Sequence, residues 1–123
     1  MRTPKEFIPY NLALELKQLG FDEPCLAFYE RSKELIIQEC EVTDFHTSSL
    51  QCLAPLYQQA FRWFREKHGL VGIVKFGTND FTYTIYNADG IGLLTKESLN
   101  FNGTYEEAEL VCLQKLIEIV KTK

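Results

Sequence analysis

The sequence has no CxxC pair, only two histidines, and no apolar run long enough to cross a membrane. Each absence removes a class of function. Its four cysteines, Cys25, Cys40, Cys52 and Cys112, are spaced too widely for a zinc ribbon or a thioredoxin-like centre. The stretch after Met1 holds no apolar run of signal-peptide length, so no secretion is expected and they read as reduced thiols used as small apolar side chains. Val71–Phe76 is the longest nearly apolar stretch, and Gly72 and Lys75 interrupt it. A soluble, cytoplasmic protein without membrane contact is expected. Basic excess is missing as well: 13 Lys and Arg stand against 17 Asp and Glu, a net charge of −4. The chain as a whole repels phosphate backbones.

What is present suits a folded domain. The chain has 123 residues, 46% hydrophobic and 24% charged, within the globular range. Area scaling gives roughly 6,800 Å² of surface when folded against about 21,000 Å² unfolded, so a core without staples is feasible. One domain is expected over residues 1–123. Charge is uneven along it. Residues 21–53 hold seven acids against Arg31 and Lys33, whereas residues 54–77 hold Arg62, Arg65, Lys67 and Lys75 against Glu66 alone. Only that block can present a positive face.

Hydrophobic spacing predicts the elements. Leu12, Ala13, Leu16 and Leu19 form one stripe of a helix from about Pro9, and Gly20-Phe21 is the stop signal of a Schellman motif. Cys25–Glu30 and Glu34–Gln38 read as a hairpin closed by Arg31–Lys33. Residues 39–53, rich in Thr and Ser, read as the most loop-like stretch. A second helix opens at Ala54-Pro55 and ends near His68. It carries Tyr57, Phe61, Phe64 and His68 on one row, with Leu56, Ala60 and Trp63 beside it. Val71–Phe76, Phe81–Tyr86 and Ile91–Thr95 form a three-stranded meander. Thr104 and Glu107 make a capping box for a last helix, Tyr105–Lys121. The order is α-β-β-α-β-β-β-α. Tight turns favour antiparallel pairing, so the expected fold is α+β, a mostly antiparallel sheet of about five strands packed with three helices.

Candidate chemistry is sparse. Cys40, His46 and Cys52 lie six residues apart in succession, but metal sites need closer ligand pairs, and packing cysteines explain them better. His68 reads as a helix C-cap. Asp22/Glu23 and Glu106/Glu107 sit at a turn and a helix start, where local hydrogen bonds and the dipole account for them. Residues 78–80 and 87–90 read as turns before calcium loops, and Gly90-Ile-Gly92 lacks the third glycine of a phosphate loop. No catalytic residue, cofactor site or metal site is expected.

The second helix is the one candidate contact surface. Arg62, Arg65 and Lys67, with Tyr57 and Trp63, could hold a partner, or hold nucleic acid by phosphate contact and stacking. The order α-β-β-β-α from Ala54 is that of a double-stranded-RNA-binding domain, yet Glu106, Glu107 and Glu109 open the last helix where lysines belong.

Three stretches carry a family resemblance: Ile8–Tyr10 with Leu16-Lys17 and Leu19–Cys25, Ala54–Gly69 (APLYQQAFRWFREKHG), and Thr104–Glu118 around TYEEAEL, Cys112-Leu113 and KLIE. Together they resemble small uncharacterised proteins of gut Bacteroidetes and their phages or mobile elements. The resemblance implies a cytoplasmic bacterial or phage-derived protein and carries no catalytic residue. The expected function is a non-enzymatic protein-interaction module, with a protein partner or a homodimer. A nucleic-acid-associated factor using the second helix is the alternative.

Overall fold

The computed structural model describes residues 3–43, 47–76, 81–87, 104–122 and, as backbone, 93–99. The fold is α+β. Three helices, α1 (Tyr10–Gln18), α2 (Tyr57–His68) and α3 (Tyr105–Lys121), alternate with strands in the expected order. The expected single sheet of about five strands is corrected, for the described residues hold six strands in two antiparallel sheets of three. Leu50–Leu53 (β3), inside the Thr/Ser-rich stretch, pairs with β1 (Cys25–Glu30) on the side opposite β2 (Leu35–Val42). Four residues amid turn formers leave no periodicity to read. The second sheet orders β4 (Leu70–Phe76), β5 (Phe81–Asn87) and β6 (Leu93–Leu99) as a meander. The chain divides into two compact units, Met1–Gln59 and Ala60–Lys123.

In the first unit, α1 packs on β3. The helix stops as its sequence says: Gly20, at φ +102°, donates its N–H to Lys17 O, and Phe21 donates to Leu16 O at 2.9 Å. These are the two bonds of a Schellman motif, and Phe21 and Leu16 are both buried. Ahead of α1, Ile8 donates its N–H to Pro55 O, and Ile8 O accepts from the Tyr29 hydroxyl at 2.8 Å. Pro55 thus belongs to an extended segment, which is why α2 begins at Tyr57 rather than at Ala54. The β1–β2 turn closes with Lys33 at φ 73° and a bond from Lys33 N to Glu30 O.

In the second unit, α3 lies on β4 and β5. Its row of Ala108, Cys112, Leu116 and Ile117 is buried, as are Tyr83 and Ile85 of β5. Thr104 caps the helix by accepting from Glu107 N at 3.1 Å. The helix sits so close to β4 that a Cβ on Gly72 would lie 3.0 Å from Cys112 Sγ, 3.1 Å from Leu116 Cδ1 and 3.2 Å from Phe61 Cε1. Gly72→Ala should therefore destabilise the protein by about 1–3 kcal/mol, measured by urea unfolding. Thr84 lies in β5 on the alternate face, 5% exposed, and its hydroxyl has no hydrogen-bond partner. Replacing an unsatisfied hydroxyl by a methyl removes its desolvation cost, so Thr84→Val should add about 1 kcal/mol in the same assay.

Candidate interaction surface

The structure separates the residues of the expected α2 surface. Arg62, Arg65 and Lys67 are exposed and Tyr57 is half-buried. Trp63 is 3% exposed and is corrected from contact residue to core. Its ring packs edge-on against Phe64, 5.1 Å between centroids, and against His68 at 4.8 Å. The helical period explains this, since Trp63 follows Ala60 by three and shares its buried face. It also splits the cations. Arg62 and Arg65 share one side of α2, whereas Lys67 projects about 160° around the axis from Arg65. No single basic patch with an aromatic platform results. His68, expected as a C-cap, packs its ring on two aromatic neighbours, Trp63 and Phe64.

The thiol cluster does not assemble either. Cys40 is exposed on β2 and Cys52 is buried on β3, with β1 between the two strands. His46, residues 78–80 and 88–92 lie outside the described residues. Among the described residues no three His, Cys, Asp or Glu side chains gather as a metal site. Cys112 is chemically quiet, its thiol pushed up to about 12 by burial and by Glu109. Glu23 at the turn before β1 accepts from Gln59 Nε2, which also donates to Pro24 O at 3.0 Å. That carboxylate is part of a turn anchor.

A different surface stands out at the far end of the second unit. Phe76 closes β4 with its side chain 71% exposed, and Tyr105, first residue of α3, is 46% exposed. Phe81 joins them. It is the register partner of Phe76 across β4 and β5, with ring centroids 5.0 Å apart, and it meets the Tyr105 ring edge-on at 5.9 Å. Two exposed rings thus stand beside a half-buried third, where a lone apolar side chain would be unremarkable. Local position explains why. Phe76 has Gly72 parity and points to the α3 side, but α3 starts only at Tyr105, so no later turn of the helix covers the ring. The available signal in the sequence is the closeness of Phe76 and Phe81, with four residues between them, across the end of β4 and the start of β5.

Electrostatics around the rings is acidic on the helix side. Burial, then Glu109, Cys112 and Glu106, raise the Tyr105 hydroxyl above its ordinary 10.0. Glu109, half-buried, is raised above 4.5 by desolvation and then by Glu106. A raised carboxyl means the folded chain holds this proton more tightly than the unfolded one. That favourable contribution is complete below pH 4.5 and is lost as pH rises through the folded-state pKa. Glu109→Gln should raise Tm at neutral pH and leave it unchanged in acid below that value, as thermal melts across the range will record.

Compared with known proteins, the chain matches no family model, no curated protein and no solved structure. No helix among the described residues is long and apolar enough to cross a membrane.

Proposed function

We propose that this protein is a small non-enzymatic interaction module, of bacterial mobile-element or phage origin, that works in the cytoplasm by holding another protein. The origin and compartment rest on the resemblance in the Ala54–Gly69 and Thr104–Glu118 stretches. The interaction rests on one observation: the Phe76 ring is 71% exposed and backed by Phe81, with Tyr105 beside it. An aromatic anchor supported by neighbouring rings is the residue type that dominates binding energy at protein interfaces. It contributes little to the stability of the free chain, because most of its area stays in water. Phe76 therefore has more to offer a partner than its own fold.

The nucleic-acid alternative draws support from Arg62 and Arg65, which share an exposed side of α2. It loses Trp63 as a stacking surface and Lys67 as a neighbour, and Glu106 and Glu109 flank the exposed rings with the wrong charge. The protein-binding reading is the better supported one.

Affinity capture with the tagged full chain in a bacterial host tests it. A co-purifying protein should be retained by wild type and lost at least tenfold with Phe76→Ser, while circular dichroism and Tm stay near wild type. Equal recovery by both chains, or background only, overturns the reading.

A further inference from the structure

Two three-stranded sheets leave four edges, and three of them carry features that discourage further pairing. On β2 the register with β1 jumps from Cys25↔Val42 to Ala27↔Ile37, so a wide bulge interrupts the strand. Glu39 and Glu41 are exposed within it. β3 has only four residues and its own register shift at Glu30. β6 carries Lys96 and Glu97 at its middle and shifts register opposite Tyr86. Bulges, brevity and mid-strand charge are how folded proteins keep edges from pairing further.

β4 has none of these. Its seven residues pair with β5 without interruption from Leu70↔Asn87 to Phe76↔Phe81. Lys75 is its single charge, next to the last position. No strand pairs with its other side among the described residues. Positions 71–74 are partly exposed, and Lys75 and Phe76 are exposed. A long, regular, largely apolar edge is a template for one more strand.

The chemistry of that strand follows from alternation. Gly72, whose Cβ direction meets Cys112 and Leu116, shows that even positions face α3. Phe76 lies on that face, and Lys75 lies on the opposite one. An added strand therefore meets an exposed aromatic ring on one face and a lone ammonium on the other.

We propose that the open edge of β4 receives an extended segment of a partner protein, apolar beside Phe76 and carrying a carboxylate beside Lys75. This deepens the interaction reading and rests on it. Backbone hydrogen bonds supply most of the affinity, the ring supplies the apolar anchor, and Lys75 selects charge and fixes register.

Selection of a displayed random-peptide library against the full chain tests the proposal, with hydrogen exchange on the winning peptide's complex. Winning sequences should alternate, with apolar residues on one face and Asp or Glu on the other. Their binding should slow amide exchange within β4, and Lys75→Glu should weaken them about tenfold and select Lys or Arg instead. Lys75 is exposed, so the variant should keep the wild-type circular dichroism spectrum. Peptides that lose affinity with Phe76→Ser yet leave β4 amides unprotected overturn strand addition while sparing the interaction reading. Indifference to Lys75→Glu, no selected peptide, or sedimentation as a dimer that protects β4 also overturns it.

Discussion

The second unit is organised by one close contact, the seating of α3 on β4 across Gly72. With no side chain at that position, Cys112 and Leu116 descend to the strand backbone itself. Everything nearby follows from that depth. Tyr83 and Ile85 of β5 are sealed beneath the helix, and the Cys112 thiol loses its reactivity through burial. A larger residue would lift the helix and uncover both. The same seating sets where coverage ends. Because α3 begins at Tyr105, the rings of Phe76, Phe81 and Tyr105 lie at the margin of the packed area.

That margin joins two surface properties that are usually kept apart. An unprotected strand edge and an exposed aromatic cluster each carry an aggregation risk, and folded chains ordinarily blunt them. Here β2, β3 and β6 are blunted by bulge, length or charge, while β4 and its terminal Phe76 are not. Three of the four edges are thus blunted. The unprotected one is also the strand whose only charge stands beside the exposed ring. Lys75 limits nonspecific pairing and can still discriminate among partners by charge, since a like charge opposite it is disfavoured. The carboxylates of α3 act on the other face, so the two charges do not compete for the same neighbour.

Much of the fold was legible in the residues. The stop at Gly20-Phe21, the Thr104 cap, the α3 bounds and the β4–β5 meander all depend on local chemistry, which is written in consecutive positions. The β3 strand was not legible, because pairing with β1 rather than propensity makes it a strand. Trp63 shows the same limit at a candidate site. Its aromatic type and basic neighbours suggested a contact residue, and only its place on the Ala60 side of α2 made it core.

By itself the sequence determined the α+β class, the order of the elements other than β3, the caps at Gly20 and Thr104 and the lack of a metal-ligand spacing, since each depends on residues close in the chain. Tertiary structure decided which aromatics face water, that the strands divide into two sheets, and which edge stays open. Those outcomes depend on where one element ends over another. Phe76 and Trp63 are both aromatic residues beside basic neighbours, and packing alone buries one and exposes the other.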